Sequence, residues 1–286
     1  MADIRAIRSR IKGVQSIAKI TRAMEMIATS KMRRTQERGL AGRPYSEKIR
    51  QVIADLASLS QEGEAVHPLL QRRTVKKIAI VHITPDRGLC GGLIGNINRR
   101  ANSFIHEQNL PASLICVGRK GVDYMKRSGR DVRAEFTWLG DRPSYLDTLP
   151  ISRIIIDDYT NGVIDAVYLS YAQFLSVLVQ RPVIEPILPA EPEDSTQVSN
   201  LDFLYEPDAK SVLSGLLPRF VEMQIYHAIL EAIASEQSAR MVAMRNATEN
   251  AGELIDDLTL MYNKARQESI TKELLDIIGG VEAMNK

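Results

Sequence analysis

The chain has 286 residues, of which 44% are hydrophobic and 25% charged, and its formal net charge is +2. That length and composition fit a globular protein with one large domain or two ordinary ones. No stretch approaches eighteen uncharged apolar residues, so we expect an intracellular protein without a membrane span or a secretory signal. Cys90, Cys116 and the four scattered histidines show no metal-ligand spacing, so we expect neither a disulfide framework nor a metal site.

The first segment, residues 1–60, is predicted to form one long helix. Its large apolar residues recur three or four positions apart, the spacing of a single helix face. The predicted seam comprises Ile4, Ile7, Ile11, Val14, Ile17, Ile20, Met24 and Ile27. Successive steps of three around Val14 break a strict heptad. At 1.5 Å per residue such a helix would be roughly 85 Å long.

The same segment is strongly basic. Its first fifty residues carry thirteen lysines and arginines against four acidic residues, a net charge of +9. Three explanations stay open: a rod that binds a nucleic-acid phosphate backbone, a rod surrounded by an acidic protein surface, or a solvated helix face. No aromatic residue among these charges offers base stacking until Tyr45.

The middle segment, residues 74–190, alternates predicted strands and helices. The predicted strands are VKKIAIVHIT, ASLICVG, DVRAEFTWL, AVYLSYAQF and SVLVQRPVIEPIL. The predicted helices are GLIGNINRRANSFIHEQN, RKGVDYMKRSG and YLDTLPISRIIIDDYTN. Alternation of this kind indicates an open, mostly parallel sheet covered by helices. A polar, proline-containing linker, residues 191–208, follows.

A glycine-rich stretch, TPDRGLCGGLIGN (Thr84–Asn96), follows the first predicted strand. It could hold a phosphate at a helix N-terminus, but the lysine and hydroxyl of a P-loop are missing. GLCGG also fits the cysteine form of a nucleophile elbow, although no histidine can be assigned as its base. We favour the third alternative, a structural turn in which glycines allow a sharp reversal and Cys90 is a small buried hydrophobic residue.

The last segment, residues 209–286, is a second long helix of roughly 115 Å. Its predicted seam comprises Ala247, Ala251, Leu254, Leu258, Met261 and Ala265 and continues as Ile270, Leu274, Ile277 and Val281. Two heptad-patterned helices at opposite ends of one chain pair most simply as an antiparallel coiled coil. Because the last helix is longer, its aliphatic tip, Ile270–Ile278, would extend beyond the pair and requires another protein to cover it.

Within that helix Glu236 and Arg240 are four residues apart. They could be an ordinary ion pair on one helix face, or a charged contact with whatever surrounds the coiled coil.

Three stretches together carry a family resemblance. They are IRSRIKGVQSIAKITRAMEMIATSKMRR near the N-terminus, DRGLCGGL in the middle, and SEQSARMVAMRNATENAGELIDDLTLMYNKARQESITKELLDIIGG near the C-terminus. In this order the chain closely resembles the gamma subunit of F-type ATP synthase from end to end. The expected fold class is α/β: a long antiparallel coiled coil of the N- and C-terminal helices plus a central Rossmann-like α/β domain.

The resemblance implies a non-catalytic rotor shaft without a cofactor. Its partners would be an alternating hexamer of alpha and beta subunits, the epsilon subunit and the c-ring, with the membrane reached only through the c-ring and no nucleic acid bound. Rotation would couple ion flow to conformational cycling of the beta subunits. An asymmetric shaft is required, since only contacts that differ between conformations can shift their populations.

The resemblance also implies roles for individual residues. Beta-subunit contacts would be made by Met24, Arg240, Arg266, Gln267 and Thr271. An apolar bearing would hold Ile277 and Ile278. A foot against the c-ring and epsilon subunit would include Phe203, Tyr205 and Glu206.

One departure from the family bears on location. Plant-chloroplast members carry an inserted cysteine pair before the final helix, and residues 189–208 contain no cysteine. A bacterial enzyme at the cytoplasmic face of the cell membrane, bound peripherally, is therefore expected. The alternatives are a nucleic-acid-binding protein with a basic coiled-coil arm and a cysteine hydrolase built on GLCGG.

Overall fold

The computed structural model describes residues 2–59, 67–190, 205–206 and 208–284. The α-helices of these residues are α1 (Ala2–Leu59), α2 (Leu93–Gln108), α3 (Arg119–Arg127), α4 (Tyr145–Thr160) and α5 (Ala209–Met284). The strands are β1 (Ile78–Ile83), β2 (Ala112–Val117), β3 (Val132–Phe136), β4 (Ala166–Phe174) and β5 (Gln180–Leu188). Every strand and helix predicted between residues 74 and 190 is present, with ends that differ by a few residues.

The five strands form one sheet in the order β3-β2-β1-β4-β5. β1 pairs in parallel with both β2 and β4, β2 pairs in parallel with β3, and β5 is antiparallel to β4. The predicted fold class, α/β with a mostly parallel sheet, is confirmed. Because the chain winds outward from β1 to β3 and then returns to place β4 on the other side of β1, the carboxyl ends of β1 and β4 form a topological switch point.

Helices cover both faces of the sheet. One apolar cluster packs Ile155 of α4, Ile229 of α5 and Ile53 of α1 against the strands. The other face carries a second cluster that includes Phe104 of α2 and Met125 of α3. Burial on both faces explains the nearly continuous apolar runs of β1 and β2.

The chain divides into two compact units, Met1–Ala28 with Met241–Lys286, and Thr29–Arg240. We call the first the helix-pair unit and the second the sheet unit. The four-segment division predicted above (1–60, 74–190, 191–208 and 209–286) follows element types and stays a prediction.

In the helix-pair unit α1 and α5 run antiparallel. The hydroxyls of Thr21 and Thr248 lie 2.7 Å apart, and Nε of Arg245 donates to Oε1 of Glu25 at 2.9 Å. A later residue of α1 therefore pairs with an earlier residue of α5. This is the predicted direction.

The seam between these helices differs from the predicted one. On α1 the buried and half-buried side chains are Ile4, Ile7, Ile11, Val14, Ala18, Thr21, Met24, Glu25 and Ala28. On α5 they include Met241, Met244, Thr248, Ala251, Ile255, Leu258, Tyr262, Ala265 and Ser269. Met24 on α1 and Val242, Ala243, Ala247 and Gly252 on α5 are also half-buried. With these set aside, both series alternate steps of three and four, so the expected break around Val14 is absent.

Outside the tip, five predicted seam residues are exposed instead. Ile17, Ile20 and Ile27 are 54%, 59% and 54% exposed, and Leu254 and Met261 are 47% and 60% exposed. The seam prediction is wrong for these residues. For the three isoleucines the physical reason is size, because Ala18, Thr21 and Ala28 in the seam let the two helices approach closely, and the larger neighbours are left on the flank.

Candidate functional site

The glycine-rich loop is a structural turn. Leu89 and Gly91 adopt positive φ values of 65° and 59°, which reverse the chain between β1 and α2. Cys90 is 1% exposed and packs with Leu93, Ile97 and Ala172. Burial, followed by the charge of Glu236, raises the pKa of the Cys90 thiol, which opposes thiolate formation.

The histidine nearest to this loop in sequence is engaged elsewhere. His82 is fully buried, with its ring nitrogens 2.8 Å from Oδ1 of Asn98 and 3.2 Å from Oγ of Ser170. Burial lowers the pKa of His82 to about 4. His82 is therefore not a base for Cys90, and the burial of the thiol contradicts the elbow interpretation, which requires an exposed nucleophile.

Glu236 and Arg240 form the expected i,i+4 ion pair on α5. Nη2 of Arg240 lies 2.6 Å from Oε1 of Glu236, and the same nitrogen donates to the carbonyl oxygen of Gly88 at 3.2 Å. The two side chains are only 11% and 15% exposed. Burial raises the pKa of Glu236, and Arg240 opposes that rise. Arg240 thus contacts the glycine-rich loop of its own chain.

Other polar residues of α5 contact the same edge of the sheet. The residues that sequence reasoning missed are Lys31, Asp141, Ser235, Gln237 and Ser238. Ser235 and Ser238 are fully buried, and Gln237 is 2% exposed. For the three residues on α5 the signal in the sequence is a polar run, SEQSAR, within an otherwise apolar stretch of helix.

The helix-pair unit has two chemically different flanks. Residues that directly precede seam positions lie on one flank, which we call the apolar flank. It carries Ile17, Ile20, Met24, Ile27, Leu254 and Met261. The opposite flank of α1 carries Arg5, Arg8, Lys12, Lys19 and Arg22, which we call the basic flank; these five are exposed. Met24 is half-buried. A surface of this kind marks a protein interface on its apolar side.

The tip of α5 is exposed as expected. Within the described residues every side chain from Ile270 to Val281 is exposed, and Ile277 and Ile278 are 63% and 59% exposed. Arg266 and Gln267, about three turns before Ile277, and Thr271, about two turns before it, are also exposed. The tip therefore presents aliphatic side chains that no other part of the described chain covers.

Two of the three residues expected at the foot lie among the described residues, both in the sheet unit. Tyr205 is half-buried and packs against the large apolar cluster of the sheet unit, and Glu206 is exposed. Phe203 lies outside the described residues.

Comparisons with known proteins agree with one another. The family model described as ATP synthase matches residues 3–284. A gamma chain of ATP synthase from Dehalococcoides mccartyi is 65% identical over 284 residues, which are 99% of this chain and 100% of the relative. The gamma chain from Chloroflexus aurantiacus is 47% identical, with 99% of each chain covered.

Solved structures support the fold. A chain of the Euglena gracilis mitochondrial ATP synthase superposes with a TM-score of 0.69 at 22% identity, and covers 99% of this chain and 95% of its own length. A chain in a structure of the central stalk and c-ring of the Tetrahymena thermophila mitochondrial ATP synthase superposes with a TM-score of 0.62 at 22% identity, and covers 80% of this chain and 99% of its own length. Among the described residues, the helices all lack an apolar stretch that could cross a bilayer. The chain belongs to the family of ATP synthase gamma chains.

Proposed function

We propose that this chain is the central rotor shaft of a bacterial ATP synthase. The helix-pair unit stands inside an alternating hexamer of alpha and beta subunits, and the foot contacts the c-ring and the epsilon subunit. Ion-driven rotation of the c-ring turns the shaft and cycles the beta subunits through their conformations. The chain itself contributes no catalytic group, binds no cofactor, and meets the cytoplasmic face of the membrane only through the c-ring.

The observation that carries this proposal is the asymmetry of the helix-pair unit. One flank offers apolar side chains such as Ile20 and Leu254, and the other offers cations such as Lys12 and Lys19. A partner subunit that faces the apolar flank gains burial of apolar surface, at about 25 cal/mol per Å². A partner that faces the basic flank gains charge pairing instead. Rotation therefore changes the free energy of each beta conformation, which a uniform rod cannot do.

Individual residues take proposed roles on this shaft. The proposed contacts with beta are Met24, Arg240, Arg266, Gln267 and Thr271. Ile277 and Ile278 turn in an apolar bearing at the top of the hexamer. Phe203, Tyr205 and Glu206 belong to the foot. Of these, Arg240 is largely covered by its own chain, so its effect on beta passes through the surface that it holds in place.

Each of the four segments predicted from the sequence has its own proposed role in the rotor. Residues 1–60 and 209–286 supply the shaft, residues 74–190 the α/β body, and residues 191–208 the linker and foot. A nucleic-acid-binding arm is the weaker candidate, since the exposed aliphatic tip of α5 has no role on a phosphate backbone.

The test mixes the chain with matching alpha and beta subunits and follows assembly by gel filtration and ATP hydrolysis. We expect one copy to enter each hexamer and ATPase activity to appear. Truncation after Lys264, or the pair Ile277→Ser and Ile278→Ser, should weaken assembly or activity. Leu146→Ser is the matched control, because Leu146 is 69% exposed on α4 of the sheet unit.

Two outcomes contradict the proposal. One is a chain that elutes alone and binds RNA or DNA with a steep dependence on salt. The other is a tip variant that assembles and hydrolyses ATP at the rate of the Leu146→Ser control.

A further inference from the structure

The switch point of the sheet is occupied by the chain's own helix. In doubly wound sheets a ligand binds in the crevice at the carboxyl ends of the strands where the winding reverses. Here α5 reaches the ends of β1 and β4, because Oγ of Ser235 donates to the carbonyl oxygen of Ala172 on β4 and Arg240 donates to that of Gly88 after β1. Beside it, at the ends of β1 and β2, a cavity of about 40 Å³ remains, lined by Thr84 and Gly118 and by Ile233 and Glu236 of α5. The helix fills the place of a ligand.

The helix is held there by side-chain hydrogen bonds from one short segment, Ser235–Arg240. Oγ of Ser235 donates to the carbonyl oxygen of Ala172 at 2.8 Å, and Oγ of Ser238 donates to that of Val177 at 2.7 Å. Both acceptors lie at the carboxyl end of β4 or in the turn after it. The polar run SEQSAR is thus directed at loops of the sheet.

The same segment reaches the loops after β1 and β3. Arg240 donates to Gly88 at 3.2 Å, which joins SEQSAR to the glycine-rich loop DRGLCGGL. Nε2 of Gln237 lies 3.4 Å from Oδ1 of Asp141, whose other oxygen lies 2.6 Å from Nζ of Lys31 on α1. The loops after β1, β3 and β4 therefore all make hydrogen bonds with α5, and the loop after β3 also forms an ion pair with α1.

These contacts fix the rotational setting of α5 against the sheet. Successive residues of a helix differ by 100° around its axis, so even a one-residue rotation would turn Ser235 and Ser238 away from their acceptors. Both are fully buried, and a buried polar group without a partner is costly. A rotated setting is therefore strongly disfavoured.

We propose that DRGLCGGL and SEQSAR together form a torsional lock, in which Arg240 is a positioning residue that holds α5 to the sheet unit against torque. This proposal rests on the proposed function, because only a rotor transmits torque along α5. It gives the glycine-rich loop a role without a phosphate or a nucleophile. It also separates the effect of Arg240 from direct contact with the beta subunit.

The first test needs only the full chain. Hydrogen exchange of the amides of Leu93 and Asn96, which donate to the carbonyl oxygens of Cys90 and Gly92 in the loop, is compared between the wild type, Arg240→Ala and the matched control Arg245→Ala. Arg245 is an arginine on the same helix, paired with Glu25. We expect exchange of these amides to rise by about 10-fold or more in Arg240→Ala, the factor expected for loss of one charge-assisted hydrogen bond. It should stay unchanged in Arg245→Ala.

The second test measures torque transmission in the assembled complex. The hexamer is fixed to a surface, and a bead is attached to the sheet unit through Asp131→Cys, which is exposed, whereas both native cysteines are buried. Arg240→Ala should broaden the distribution of bead angles during each catalytic pause. Arg240→Lys should broaden it too, because a lysine keeps the charge but its nitrogen ends one bond short of Nη2, the atom that contacts both Glu236 and Gly88.

Each result decides between the alternatives. Unchanged exchange in Arg240→Ala, or equal broadening with Arg245→Ala, overturns the lock. An Arg240→Lys variant with the wild-type distribution of bead angles also overturns the lock, because a positive charge alone would then be enough to hold α5 in place. If the wild-type chain fails to join the hexamer, the proposed function fails, and the exchange experiment still tests the contact between the two motifs.

Discussion

The position of the coiled-coil seam gives the most direct prediction. Leu254 and Leu258 lie one turn apart on α5, yet Leu254 is 47% exposed and Leu258 is 8% exposed. The sequence pattern placed both in the seam, and the structure retains only Leu258. The same substitution, leucine to alanine, at each position therefore distinguishes the seam predicted from the sequence from the seam in the structure.

The magnitudes follow from burial. Truncation of a buried leucine to alanine costs about 2–5 kcal/mol, and a seam between two helices relaxes more readily than a deep core, so we expect about 2–3 kcal/mol for Leu258→Ala. For Leu254→Ala the side chain already contacts water, and we expect about 1 kcal/mol or less. The difference exceeds about 1 kcal/mol, which equilibrium unfolding resolves.

Urea unfolding of the full chain provides the assay. Circular dichroism at 222 nm reports all helices, whereas the single tryptophan, Trp138, reports only the sheet unit. The seam variant should shift the dichroism transition and leave the tryptophan transition in place. Equal losses in the two variants, or a larger loss in Leu254→Ala, would refute the seam seen in the structure.

Three further predictions concern the sheet unit. Gly118→Ala should destabilise it by about 3 kcal/mol or more, because φ is +96° and a Cβ would overlap the carbonyl oxygen of Thr84; Gly129→Ala, at φ +69° with open space around it, is the control for strain alone, and equal losses in urea unfolding would contradict the clash. Burial lowers the pKa of His82 from 6.5 to about 4, so only the unfolded chain binds this proton between those pH values, and stability should fall by about 3 kcal/mol as pH drops from 6.5 to 4. Unfolding midpoints that stay flat over this range would argue against the buried neutral ring. Cys90→Ser should retain assembly and ATPase activity because the thiol is packed rather than catalytic, and an inactive but assembled complex would restore the nucleophile hypothesis.

The sheet could be predicted from sequence because each element has a strong local pattern. β1 and β2 are apolar runs of six residues, and α2 begins directly after the glycines of the loop. The lock could not be predicted this way. Gly88 and Arg240 are 152 residues apart in the chain, and a local pattern carries no information about which loop meets which helix. The sequence supplied both motifs, and only the fold brings them together.

The seam failed to be predicted for a different reason. After Val14 the seam of α1 continues through Ala18, Thr21, Glu25 and Ala28, and each residue of the apolar stripe Ile17, Ile20, Met24, Ile27 directly precedes one of these positions. Assigning the larger apolar residues to the seam is sound for a helix whose apolar face contacts only its own chain. A helix that must also meet partners buries its small residues against its own chain and keeps its large ones outside, where Ile20 is 59% exposed. The position at which hydrophobic patterning gives the wrong answer is therefore the surface on which a rotor would act.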